Sequence, residues 1–178
     1  MKYLVSLSIV SFIALVSSSF TTQSTTFSEE KINWMSWEEA IEKNKDNPKK
    51  VFIDVYTEWC GWCKKMDSST FADPAIVKYM NDNFYAVKFD AEQKEAIEWE
   101  GNTYAFEKSG RRGAHQLAKA MLNDRMGYPS FVLLDEEFAR IRITPGFKKV
   151  DQLMQELTFA KEEKYKEISF DDYSKANK

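Results

Sequence analysis

"VFIDVYTEWCGWCKKM" (Val51–Met66) contains both cysteines of this 178-residue chain, Cys60 and Cys63. Its first half is β-branched and aromatic. With Lys50 it reads as a buried strand, Lys50–Tyr56, interrupted by one acid, Asp54. Three uses compete for a CxxC pair that follows a strand. A structural bridge would close only a tiny loop, and the stabilisation from cross-linking grows with loop length. A closed zinc site needs about four ligands. The chain has one histidine, His115, far along the sequence and without a second Cys/His cluster. A reactive pair fits better. A cysteine that opens a helix meets unpaired backbone N–H groups and the positive end of the helix dipole, and both favour the thiolate nucleophile. A second cysteine one turn later is placed to attack a mixed disulfide and release the partner. The structural and metal readings remain as weaker alternatives.

Outward from this stretch, "MSWEEAIEKNKDNPKK" opens a helix. Ser36 and Glu39 form a capping box, and Asn47 with Pro48 ends the helix. After the cysteines, "KKMDSSTFADPAIVKYMNDNF" reads as helix, break and helix, the second capped by Asp73 with Pro74 in its first position. "FYAVKFDAE" (Phe84–Glu92) is a second buried strand, and "AHQLAKAMLND" (Ala114–Asp124) an amphipathic helix. "PSFVLLD" (Pro129–Asp135) and "ARIRITP" (Ala139–Pro145) form two strands around a tight turn at Glu136 and Glu137. A last helix runs from about Val150 to Lys166. Alternation in the first half predicts parallel pairing, and the close strand pair near the end predicts an antiparallel hairpin. Together they give an α/β fold, a mixed central sheet with helices on both faces.

Length and charge bound the function. Residues 1–20 carry Lys2, an apolar run from Leu4 to Val16 dotted with serines, and Ser17–Ser19 at a plausible cleavage point, so they read as a secretory signal rather than a membrane span. No cysteine flanks that point, which argues against lipid attachment. Residues 21–33 read as a flexible N-terminus, 34–168 as one domain and 169–178 as a C-terminal tail. The formal net charge is −3 with both signs interspersed. That pattern does not suggest a nucleic-acid or membrane-surface binder.

The stretch Val51–Met66, with its Asp-bearing strand and the later Tyr128–Pro129–Ser130, resembles the thioredoxin-like family, and most of all the secreted or periplasmic thioredoxin-like domains of bacteria. The resemblance covers roughly Trp34 to Ala160. It implies a thioredoxin fold in which Cys60 is the nucleophile and Cys63 the resolving cysteine. Asp54 then occupies the place of the family's buried acid, which takes up the proton of the resolving thiol. Lys88 matches the lysine that approaches this acid, although it also reads as an ordinary solvated strand lysine. Pro129 matches the family's cis-proline, which leaves the preceding backbone, at Tyr128, free to pair with a substrate chain. Gly146 resembles a glycine near the same groove. Trp59, Gly61, Trp62, Tyr128 and Pro129 are the implied substrate-binding set. Trp62 departs from the commoner proline or histidine between the cysteines. It is expected to stand exposed and to offer an apolar contact to a partner.

Between Asp90 and Ala114 the chain is longer than a minimal thioredoxin needs. "IEWEGNTYAF" (Ile97–Phe106) predicts a β-hairpin that turns at Gly101 and Asn102, with Trp99 opposite Tyr104 and Ile97 opposite Phe106. Its aromatic face either packs on the core or forms a flap that docks a partner. "SGRRG" (Ser109–Gly113) reads as a solvated turn, and His115 as a helix-surface residue. The resulting expectation is an exported, periplasmic, monomeric thiol:disulfide oxidoreductase, acting on protein disulfides or thiols, more as a reductase. It would need no metal or organic cofactor beyond the Cys60–Cys63 disulfide, would bind no nucleic acid, and would draw electrons from a membrane partner. The rival readings are a redox-inert binding module or adaptor on the same scaffold, and an interaction protein of the cell envelope.

Overall fold

The computed structural model describes residues 30–177; the expected export signal lies outside them. In chain order the elements are β1 (Trp34–Met35), α1 (Trp37–Asp46), β2 (Lys50–Tyr56), α2 (Gly61–Ser68), α3 (Pro74–Asn83), β3 (Phe84–Asp90), β4 (Ile97–Trp99), β5 (Asn102–Tyr104), β6 (Phe106–Ser109), β7 (Arg112–His115), α4 (Gln116–Leu122), β8 (Ser130–Leu134), β9 (Arg140–Pro145), α5 (Val150–Lys161) and α6 (Phe170–Ala176). The main sheet has the order β1-β3-β2-β8-β9. β2 pairs in parallel with β3 and antiparallel with β8, and β8 pairs antiparallel with β9. This is the mixed sheet that the alternating pattern predicts. The capping box of Ser36 and Glu39 and the cap of Asp73 ahead of Pro74 both form.

The pleat divides β2 between two cores. Val51, Ile53 and Val55 face one side of the sheet, with Trp37 and Ala40 of α1 and Leu117, Ala118 and Met121 of α4. Phe52 faces the other, with Met66 of α2, Ile76 and Met80 of α3, and Leu153 and Leu157 of α5. Successive strand residues alternate sides, so Asp54 shares the face of Phe52. On β3 the same alternation gives Lys88 the face of Ala86, and the register sets Lys88 beside Asp54. Sequence parity thus decides that one acid and one lysine meet under α2.

The inserted segment forms two hairpins, one more than the sequence suggests. β4 and β5 turn at Glu100 and Gly101, both at positive φ, rather than at Gly101 and Asn102. Ile97 is therefore opposite Tyr104, and Trp99 opposite Asn102. A two-residue turn of this kind needs positive φ at both central positions, and here Glu100 takes it beside the glycine. The aromatic face packs inward rather than forming a free flap. Ile97 is fully buried, and Trp99 meets Trp37 edge-on with centroids 5.1 Å apart. The second hairpin, β6–β7, runs through the SGRRG stretch and turns at Gly110 and Arg111.

His115 is not on a helix surface. It is fully buried at the start of α4, where its Nδ1 accepts from Leu117 N and its Nε2 lies 3.0 Å from Glu95 O. Burial holds it below the usual histidine range. As a neutral ring, with Nε2–H donating, it ties the insertion to the sheet side of α4.

Both ends are more closely held than expected. Of the segment expected to be flexible, Lys31 to Asn33 is pinned: Asn81 accepts from Asn33 N and donates to Lys31 O, and Ile32 is buried. Residues expected as a C-terminal tail form α6. Ser169 caps it, and Tyr173 and Phe170 pack on Phe159. Phe170 and Tyr173, three residues apart with Asp171 and Asp172 between them, make a short amphipathic helix once Phe159 supplies a surface.

Candidate active site

The turn after β2 and the first turn of α2 carry the cysteine pair. Cys60 is the N-cap of α2, with Cys63 one turn later, and the two form a disulfide with Cα atoms 5.3 Å apart. Cys63 N donates to Cys60 Sγ at 3.0 Å. The helix thus directs a free backbone donor at the sulfur that would carry negative charge on reduction, which favours its thiolate. Both cysteines are nearly buried, Cys63 the more so. Gly61 is exposed, with open space where a side chain would project.

Beneath α2, Asp54 is fully buried. Lys88 Nζ lies 2.8 Å from Asp54 Oδ2, but neither carboxylate oxygen receives a well-directed hydrogen bond. Desolvation pushes the Asp54 carboxyl up to about 6, and the Lys88 charge only partly opposes this. A carboxyl titrating there can accept a proton near neutral pH. Lys88 is not an ordinary solvated lysine. It also pairs with Asp67 of α2, and its Nζ lies 4.9, 5.2 and 5.4 Å from the ring centres of Trp34, Tyr56 and Phe71. Burial alone would lower its affinity for a proton, but the two carboxylates outweigh that and hold it charged.

Two aromatic groups stand around the cysteines. Trp59, half-exposed, meets Tyr128 edge-on at 5.9 Å, and its Nε1 donates to Glu92 Oε1 at 3.1 Å. Trp62 is 63% exposed, with Phe147 5.7 Å from its ring centre. The Tyr128–Pro129 peptide is cis. Gly146 N donates to Pro129 O at 2.8 Å, and Gly146 takes φ +86°, which favours glycine. Trp59 is thereby joined to Tyr128, and Trp62, through Phe147 and Gly146, to Pro129. Of the sequence-derived site residues, only Gly61 makes no contact that sets it apart.

Two further residues belong to the site, Asp67 and Arg112. Asp67 lies four residues after Cys63, which on a helix is the same face; that spacing was a readable signal. Arg112, delivered by the unforeseen β6–β7 hairpin, has its guanidinium carbon 3.9 Å from the ring centre of Trp59. No local spacing in the sequence predicts that contact.

Comparison with known proteins agrees with this geometry. A family model described as "Thioredox_DsbH: Protein of unknown function, DUF255" matches residues 14–169. A Caenorhabditis elegans protein named Uncharacterized protein B0495.5 is 36% identical over 83 residues, 46% of this chain and 11% of that protein. The Thiol:disulfide interchange protein DsbD of Photorhabdus laumondii is 34% identical over 50 residues, 28% of this chain and 8% of that protein. The chain therefore spans only a small part of these relatives. A solved structure titled "DsbH Oxidoreductase" superposes with TM-score 0.56 at 20% identity, covering 82% of this chain and 95% of that one. This last likeness establishes the thioredoxin fold. The fold and the CxxC pair together support thiol–disulfide redox chemistry.

Proposed function

Because the chain belongs to the Thioredox_DsbH family, we propose that it is a thiol:disulfide oxidoreductase that reduces disulfides of other proteins. The observation that carries this reading is the stacking of three layers: Cys60 at a helix N-cap, Cys63 one turn on, and the buried Asp54–Lys88 pair below them. A merely structural CxxC has no use for a buried acid whose carboxyl sits near 6.

In the forward direction the dithiol form attacks. Cys60 thiolate displaces one sulfur of a partner disulfide, forming a Cys60–partner bond and releasing the first partner thiol. Cys63 loses its proton to Asp54 and attacks the Cys60 sulfur. The Cys60–Cys63 bond forms, the partner leaves as its second thiol, and two electrons have passed to the partner. A thiol donor must then re-reduce the pair. The expected donor is a membrane protein, consistent with an export signal in residues 1–20 that would place the chain outside the cytoplasm. Trp59, Trp62, Tyr128 and Pro129 form the contact surface for an extended, disulfide-bearing partner segment. No nucleic acid or organic cofactor enters this scheme, and a monomer suffices for it.

The test is capture. A Cys63→Ser variant, reduced and mixed with a disulfide-containing protein such as insulin, should accumulate a mixed disulfide through Cys60, while a Cys60→Ser variant should not. If neither variant is captured and the parent fails to reduce insulin with dithiothreitol as donor, the redox reading is wrong and a binding module is the better description.

A further inference from the structure

Lys88 is shared between two carboxylates of different character. Asp54 is buried in β2; Asp67 stands half-exposed on α2. Next to them lies a cavity of about 240 Å3, bordered by Tyr56, Thr57, Cys63, Asp67 and Lys88. Thr57 Oγ1 is buried without a hydrogen-bond partner, and the buried Asp54 carboxylate has the Lys88 ammonium beside it, though not in a well-directed hydrogen bond. A space of that size with several polar walls has room for ordered water, and Thr57, on its wall, is a group such water would satisfy. The cavity therefore joins three things: the resolving cysteine, an exposed acid, and the ammonium that touches the buried acid.

We propose that Asp67 is a positioning residue for the resolving step, holding Lys88 between two carboxylates so that the proton of Cys63 leaves through this cavity to solvent. The inference rests on the redox reading above and deepens it. When Cys63 attacks the Cys60 mixed disulfide, its proton passes to Asp54, then by way of Lys88, which lines the cavity, past Asp67 and out. The Cys60–Cys63 bond forms and the partner thiolate departs. Sharing Lys88 keeps it from committing fully to Asp54, and the Asp67 charge itself repels an ionised Asp54. Both effects keep Asp54 basic enough to accept the proton. The titratable and charged groups facing Lys88 are Asp54 and Tyr56 from β2 and Asp67 from α2; Cys63 and Lys64 line the cavity from α2 and Glu58 lines it from the turn after β2, while Asp90 acts on Tyr56 at longer range.

The experiment isolates the resolving step in the reduced full chain. One equivalent of 5,5′-dithiobis(2-nitrobenzoate) gives a first thiolate release when Cys60 attacks and a second when Cys63 resolves. The second phase is followed from pH 4.5 to 9. Asp67→Asn should shift its acid limb to lower pH by about half a unit and slow it about threefold at pH 7, because Asp54 becomes a weaker base. Asp67→Glu should restore the parent profile. If Asp67→Asn superimposes on the parent while Asp54→Asn moves the limb, the Asp67 proposal fails and the redox reading stands. If the parent shows no second phase at any pH, both fail.

Discussion

The guanidinium of Arg112 lies 3.9 Å over the indole of Trp59, the residue immediately before Cys60. The β6–β7 hairpin thus reaches the rim of the reactive pair, although its sequence reads as a solvated turn. A cation on an exposed indole is worth about 0.5–1 kcal/mol. Arg112→Ala should therefore lower kcat/KM with a protein disulfide by roughly two- to fivefold. Exchange with a small disulfide such as oxidised glutathione should be unchanged, because it does not span the rim. Equal losses with both substrates would show that Arg112 acts only on the fold.

Asp54 makes stability depend on pH in a definite direction. Its carboxyl titrates at about 6 in the folded protein, against about 4 in an unfolded chain. The native state therefore holds this proton longer. That favours folding below about pH 4 and is lost as pH climbs through 6, a swing of about 3 kcal/mol. Asp54→Asn removes the swing. In urea unfolding of the oxidised protein, the variant should gain on the parent by up to that amount between pH 4 and pH 7.5. A difference that stays constant over this range would mean that Asp54 is not desolvated as described.

Gly113 sits opposite Lys108 in the second hairpin. A Cβ there would collide with the Glu107 carbonyl oxygen and the Phe106 ring. The strand cannot move away without breaking the pairing that positions Arg112. Gly113→Ala should cost about 1–3 kcal/mol and should free Trp59 from its guanidinium, read as a change in tryptophan emission. A stable variant with unchanged emission would show that the hairpin is not tied to the site.

Most of the frame is legible in the sequence because it rests on local rules. Ser36 with Glu39, Asp73 with Pro74 and the apolar run of β2 each declare an element from a few neighbouring residues. The meeting of Asp54 and Lys88 could be anticipated only through family resemblance. Its physical cause, the parity of two paired strands, needs the register. The hairpin turn was displaced by one residue because Glu100 accepts positive φ, a choice the side chain does not advertise. His115 reads as a surface residue because its two hydrogen-bond partners, Glu95 O and Leu117 N, are backbone groups, which leave no trace in composition. Asp67 was readable by helical spacing. Arg112 was not, since it comes to Trp59 from over fifty positions away.

The most direct test is a redox titration of the Cys60–Cys63 pair, following Trp59 and Trp62 fluorescence across glutathione and dithiothreitol buffers. A protein reductase requires a pair that opens in this range, with a potential of about −270 mV, close to that of thioredoxin. A value near −120 mV would contradict the reducing direction and mark an oxidant. A disulfide that stays closed to potentials below about −300 mV would contradict redox function altogether and leave Cys60–Cys63 as a structural bridge.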